Sequence, residues 1–455
     1  LLPIENKKSL PLLILQSFYA YKSTAIITAC LLIPACGPFS SRIAYDPKPS
    51  IDQLKNGHTT IENEVDKLAT PLIRSGESPA LAIGVLLPNG TSRVFGYGNT
   101  KDLEESSVPD QTSIFQVGSI SKLFVSTALD ILVQEGKISY NDKIKDILPK
   151  NTPLSEDIAN ITVYELATHT SGLPREPITF KQFCYFIRYE ITGNNLYSYM
   201  DKRWIYKYLK SCKTRKNHHK YIYSNIGYGL LAHLIEIKTG KPFSILAKEK
   251  IFLPLDMKDT TFSLSNEQYS RLVTGHAGDQ PFFMRRNTPI KPWDMGEIMS
   301  PTGGIYSTVE DLLKFIKYLF KAENTSLAQA ITQTLIPISN IENGDIAGLG
   351  WDITENNISH VKIIYKHGMA SGYNAYIGLN ISNKSGAVVL SNAFNWSDKI
   401  GENILLRLAP FTTSSNAINV DKLSHNKNLS ERSFFPEKDL ASTRSQPAID
   451  RSQAR

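Results

Sequence analysis

Cysteine is scarce in this chain: Cys30, Cys36, Cys184 and Cys212 among 455 residues form no C-x-x-C pair and show no zinc spacing. No structural metal is expected, and no cofactor signature stands elsewhere. The G-x-S-x-G elbow is missing, as is H-E-x-x-H. IEIKTGK is not a P-loop, because its first glycine would have to stand at Ile235. The nine histidines still permit a Ser-His-Asp site, but no local sequence points to one. Charge of one sign is also lacking: +7 over this length is mild and gives no argument for a nucleic-acid partner. No internal repeat is present. What remains is ordinary globular composition, 41% hydrophobic and 20% charged, enough for one large domain or two.

The ends differ from the middle. In KSTAIITACLLIPAC, Lys22 precedes an apolar stretch of about signal-peptide length. At about 12 residues it falls short of the roughly 20 that span a membrane. Its end, LIPAC, resembles a bacterial lipoprotein signal, which predicts cleavage before Cys36 and lipid on that residue. The alternative is an uncleaved N-terminal anchor that also uses the run from Leu10 to Ala20. Either reading exports the protein to the cell envelope and holds it at a membrane. Residues 37–60, with Pro38, Pro47, Pro49 and Gly57, read as a tether, and 411–455 as a polar, aperiodic, disordered tail. The folded body is expected over 61–410.

Within it, LAIGVLLPNGTSRVFGYG places two β-like runs around Asn89-Gly90, a strong hairpin signal. VKIIYKHG, NAYIGLNIS and GAVVLSNA supply further strands near the C-terminus. Helical patterns fill the interval. The predicted fold class is α+β: one antiparallel sheet assembled from both ends, flanked by helices, with an all-helical subdomain inserted.

FQVGSISKLFVSTALDILVQEGK contains Ser119 and Lys122 at the start of a helix that is apolar nearly all round, so Lys122 begins a buried helix. Residues i and i+3 share a helical face, and the two side chains can meet. From these residues alone, Ser119 reads either as a nucleophile with its activator or as an N-cap. Two more stretches complete the signal: Tyr223-Ser224-Asn225 ahead of a helix, and Lys366-His367-Gly368 at the end of a strand. With ITVYELATHTSGLP, PTGGIYSTVEDLLKF and GLGWDI they resemble, in order and over about residues 70–405, the class C β-lactamase and D-alanyl-D-alanine peptidase superfamily. A literal Lys238-Thr239-Gly240 is a decoy for the family's third motif. Ile226, Leu230, Leu234 and Ile237 before it repeat at helical spacing, and Gly240 fits a helix stop.

The resemblance implies that Ser119 attacks a carbonyl carbon while Lys122 and Tyr223 share the proton work. It implies that Asn225 orients the substrate amide and Lys122; Asn225 also reads as a local cap. The backbone N–H groups of Ser119 and Met369 would hold the oxyanion, and Lys366 would attract a substrate carboxylate, with His367 in the role of the family's threonine. His169, in THTSGLP, is read as fixing its loop rather than as a catalyst. Cys184 and Cys212 could pair in an oxidising compartment. Residues 197–220 carry eight basic side chains against one acid, with aromatics interleaved, either a solvated helical face or a face toward an anionic wall or membrane. The expected activity is acyl hydrolysis of D-Ala-D-Ala peptides of peptidoglycan, with penicillin binding. A β-lactamase comes second, a small-ester esterase third, and a catalytically idle wall-binding lipoprotein last.

Overall fold

The computed structural model describes residues 61–408 except 102–105, 215–218, 322–324, 342–343, 357–359 and 396–398. The signal segment with Cys36, the tether and the tail lie outside the described residues.

The N-terminal hairpin forms as its turn chemistry predicts: β1 (Ala80–Leu86) pairs with β2 (Ser92–Gly98), and Leu87 N–H closes the turn on Thr91 O at 2.9 Å. Six further strands come from the C-terminal part: β3 (Ser339–Asn340), β4 (Ile346–Ala347), β5 (Asp352–Glu355), β6 (Lys362–Ala370), β7 (Tyr373–Asn380) and β8 (Ser385–Ser391). They lie in the order β2-β1-β8-β7-β6-β5-β4-β3, every neighbouring pair antiparallel. The sheet thus closes by pairing β1 with β8, Leu81 opposite Ser391, as expected for a sheet built from both ends.

Both faces of β1 are buried. Leu81, Ile83 and Val85 meet α1 (Ile61–Arg74) and α9 (Ile400–Leu408), which present Val65, Leu68, Leu72, Ile400 and Ile404 at helical spacing. An Arg407 to Glu64 ion pair at 2.7 Å, both side chains largely shielded from solvent, ties those two helices together. The opposite face packs into the larger core with α2 (Ser121–Gln134), α5 (Asn225–Thr239), α6 (Gly296–Gly303), α7 (Val309–Leu319) and α8 (Ser326–Thr334). Between α2 and α5 lie α3 (Phe180–Thr192) and α4 (Lys202–Ser211), the heart of the predicted helical insertion.

Lys238-Thr239-Gly240 ends α5, with Gly240 in the left-handed cap at φ 68°, so it is a helix stop as the periodicity indicated. The aromatics of 197–220 fold inward: Trp204 stacks on Tyr208 at 5.2 Å, and Tyr199 meets Trp204 and Tyr185 of α3. Arg203, Lys207 and Lys210 remain on the solvated side of α4. Cys184 is exposed, Cys212 is buried and both are free thiols, so the pairing considered from sequence is not formed. No helix among the described residues is long and apolar enough to cross a membrane.

Candidate active site

Gly118 opens the site in the left-handed region at φ 52°, and a single 3-10 turn, Gly118–Ile120, leads into α2. Its place is crowded by backbone: a Cβ there would lie 2.5 Å from Met369 N, and one at Gly368 would lie 2.0 Å from Val117 O. Two glycines therefore let the end of β6 meet the turn main chain to main chain, bringing the Met369 amide beside Ser119. The capping alternative for Ser119 fails on geometry. Ser121 Oγ makes the local bond, donating to Gly118 O at 2.7 Å, and neither helix start has a side-chain cap.

The Ser119 hydroxyl is instead turned to a lysine and a tyrosine. Lys122 Nζ donates to Ser119 Oγ at 3.0 Å and to the Thr302 carbonyl of α6 at 2.8 Å; Tyr223 OH donates to the same Oγ at 2.8 Å. Lys122 is fully buried, and desolvation lowers its pKa, helped by Lys366 and Arg175 and opposed by Tyr223. Burial alone would raise the Tyr223 pKa, but Lys122, Lys366 and Arg175 together outweigh it and hold the phenol below its ordinary value. All three cations lie close to its ring: Lys122 Nζ at 5.1 Å, Lys366 Nζ at 4.9 Å and Arg175 Cζ at 4.9 Å from the centroid.

Tyr223 is aimed by the residue after it. Ser224 caps α5, accepting from Gly227 N–H at 2.9 Å and donating to Pro174 O at 2.8 Å. Its own N–H donates to His169 Nδ1 at 3.0 Å, while the His169 ring lies against Tyr223 and Tyr228 at 4.5 and 4.7 Å. His169 sits at φ 60°, and burial, with Lys366, Lys122 and Arg175, holds its pKa well below the ordinary value. It is a neutral pin for the tyrosine loop, as its place in a turn suggested.

Three sequence expectations need adjustment. Asn225 does not cap α5, nor does it turn its amide to Lys122; Nδ2 donates to Glu176 Oε1, which also accepts from Tyr197 OH at 3.1 Å. The reason is proximity across the Pro174–Glu176 loop, whose Arg175 carbonyl receives the Asn225 N–H at 3.0 Å. Lys366 is not a free cation: it is paired with Asp352 at 3.0 Å, and although burial lowers its pKa, Asp352 and Tyr223 raise it overall. His367 leaves β6 on the other face. Strand side chains alternate, Lys366 stands opposite Ile377 of the larger core, and His367 stands opposite Tyr376 of the outer one, its ring against Tyr365 and Tyr376. Burial, with Lys366 and Lys399, lowers its pKa to about 4, so it is neutral at pH 7.

The structure therefore brings Ser119, Lys122, Tyr223, Lys366 and the Gly368-Met369 backbone together, with Asn225 alongside. Arg175, Glu176, Asp352 and the Thr302 carbonyl were not singled out from sequence. Each adjoins or lies within a recognised stretch: Arg175-Glu176 follows HTSGLP, Asp352 ends GLGWD, and Thr302 lies in PTGG. Among the described residues no group of three or more histidine, cysteine or acidic side chains is placed to hold a metal.

Comparison with known proteins bears on family and fold. The sequence model of the Beta-lactamase family matches residues 65–410. D-alanyl-D-alanine-carboxypeptidase/endopeptidase AmpH of Escherichia coli K12 is 28% identical over 360 residues, covering 74% of this chain and 87% of its own. A beta-lactamase of Providencia stuartii is 27% identical over 262 residues, 56% of this chain and 59% of its own. Among solved structures, D-alanine carboxypeptidase AmpC of Burkholderia cenocepacia superposes with a TM-score of 0.63 at 19% identity, covering 76% of this chain and 98% of that one. A class C beta-lactamase superposes with 0.64 at 21%, covering 80% and 99%. With the family pattern running through most of the folded body and the shared fold beneath it, this chain belongs to the Beta-lactamase family and is a serine hydrolase of that superfamily.

Proposed function

We propose that the protein is a serine acyl hydrolase acylated at Ser119, acting on D-Ala-D-Ala type peptides of the cell wall and binding penicillins. The observation that carries this reading is the convergence of Lys122 Nζ and Tyr223 OH on one hydroxyl, Ser119 Oγ, at 3.0 and 2.8 Å. Serine needs a base to attack a carbonyl carbon. Tyr223, its phenol held acidic by three cations, and Lys122 form the coupled pair that takes the proton. The tetrahedral oxyanion lies against the Ser119 and Met369 amides. Collapse expels the amine, which takes the proton back, and water then cleaves the acyl ester by the same route. Asn225, held by Glu176 Oε1, is placed to meet the substrate amide, and the Lys366–Asp352 pair presents its cation to a carboxylated leaving group.

A peptidase is favoured by the AmpH relationship over 87% of that protein's length. The fold shared with class C beta-lactamases favours a second reading, in which the β-lactam ester is turned over rather than held. Intact-mass measurement after incubation with a penicillin, a D-Ala-D-Ala peptide and a short-chain ester separates them. A long-lived penicillin adduct with peptide cleavage supports the peptidase, rapid penicillin hydrolysis the lactamase, and ester cleavage alone the esterase. Export with lipid on Cys36 belongs to the same proposal; an unmodified polypeptide beginning before residue 36 would count against it.

A further inference from the structure

Helix α3 carries two apolar faces. Gln182, Tyr189 and Glu190 are buried, with Tyr185 and Phe186 packed against the core. On the other side Phe180, Cys184, Ile187 and Ile191, at i, i+4, i+7 and i+11, point outward; Ile191 is 56% exposed. The loop at 281–284 extends this face. Phe282 N–H donates to Glu190 Oε2 at 2.6 Å and Phe283 N–H to Glu190 O at 3.0 Å, fixing two adjacent phenylalanines at the end of the helix. Their rings stand edge to face at 5.2 Å and are 74% and 68% exposed. With Ile178 just ahead of the helix, this one face gathers six of the ten most exposed large hydrophobic side chains among the described residues. Scattered single residues would need no explanation; a contiguous set does.

The exposed charges flanking it are basic, and the nearby Asp279 is paired with Arg286. Lys181, Arg188, Arg285 and Lys291 are exposed at its rim. Residues 280–291 contain no acid, and Glu190, the acid of α3, is 4% exposed and occupied by the Phe282 and Phe283 amides. A wall glycan could at most stack on one ring face of an edge-to-face pair and would leave the flanking isoleucines unmatched. A lipid interface offers both halves: acyl boundary for the rings and isoleucines, phosphate for the lysines and arginines. We propose that the α3 face and the Phe282-Phe283 loop form a docking surface for an anionic lipid bilayer, separate from any N-terminal attachment and from the acyl-transfer site.

Cys184 lies within this face and reports on it. Full-length protein is treated with a maleimide, and the labelling rate of Cys184 is read peptide by peptide, with buried Cys212 as the internal reference. On vesicles of phosphatidylglycerol and phosphatidylcholine in equal parts, Cys184 labelling is expected to slow by at least about fivefold, an effect weakened by high salt. The double variant Phe282→Ser/Phe283→Ser is expected to restore the rate while leaving hydrolysis of a soluble ester unchanged. Attachment through another segment leaves Cys184 open, so binding alone does not mimic the result. An unchanged Cys184 rate on vesicles overturns the proposal, as does equal shielding of the double variant or equal shielding on phosphatidylcholine alone. Shielding that rises with protein concentration in the absence of lipid also overturns it, by identifying a second copy as the occupant.

Discussion

Replacing Arg175 with glutamine removes a charge that never titrates in the working range and leaves its backbone bond to Asn225 in place. The guanidinium carbon stands 4.9 Å from the Tyr223 ring centre. At an effective dielectric constant of about 20, a unit charge about 5 Å away contributes roughly 3 kcal/mol, or about two pKa units. Arg175 is only half-buried, and solvent screening reduces this to about one unit. The direction follows from the cause: losing one of three cations raises the Tyr223 pKa, and the Lys122 pKa moves the same way. The base form then appears later as pH rises. Acylation by a fluorophosphonate or a chromogenic cephalosporin, followed against pH, should show its acid limb displaced upward by about one unit. Below the limb the variant should be about tenfold slower, and on the alkaline plateau it should match the parent. A uniform loss at every pH, with the limb unmoved, would refute the electrostatic role given to Arg175.

Ser119→Ala should abolish covalent labelling while costing no more than about 2 kcal/mol, from the lost Lys122 and Tyr223 bonds rather than from a helix cap; a retained adduct places the nucleophile elsewhere. Asp352→Asn should lower denaturant stability by about 2–3 kcal/mol near neutral pH by stranding buried Lys366. Because Lys366 has a raised folded pKa, that difference should persist below pH ~10 and fade as pH rises through it. Lys366→Ala should lose more activity on carboxylated substrates than on neutral esters, and equal losses would remove Lys366 from carboxylate binding. His367 is depressed to about 4, so the unfolded chain binds its proton first and the folded state loses stability as pH falls from about 6.5 toward 4. His367→Thr should flatten that acid loss by up to about 3 kcal/mol in urea titrations, and an unchanged pH profile would show the ring to be less enclosed than described.

The hairpin at Asn89-Gly90, the three C-terminal strands and the false Lys238-Thr239-Gly240 were legible because each is decided by neighbours in sequence: turn residues, alternation, a helical repeat. The pairing of Ser119 with Lys122 was legible for the same reason, and Tyr223 through its motif. What surrounds them was not. Asp352 reaches Lys366 only because β5 and β6 are adjacent, and Glu176 reaches Asn225 across the Pro174–Glu176 loop. His367 was assigned to the site by its place in a triplet, but alternation along β6 sends it to the opposite core. Helix α3 carries apolar residues on two of its sides, and packing against Tyr199 and Trp293 shows which is inward.

The pairing of β1 with β8 sets a schedule. Leu81 meets Ser391, about three hundred positions later in the chain. At roughly 5–20 residues per second of synthesis, the finished hairpin waits on the order of 15–60 s before its partner strand exists. During that interval the β1 edge, whose side chains are apolar toward both faces, is open to any other strand, the situation in which edges aggregate. Folding of this domain is therefore a late event in the life of the chain. A product that stops after β7 keeps every residue converging on Ser119 but leaves the sheet unclosed, with its N-terminal hairpin permanently unpartnered.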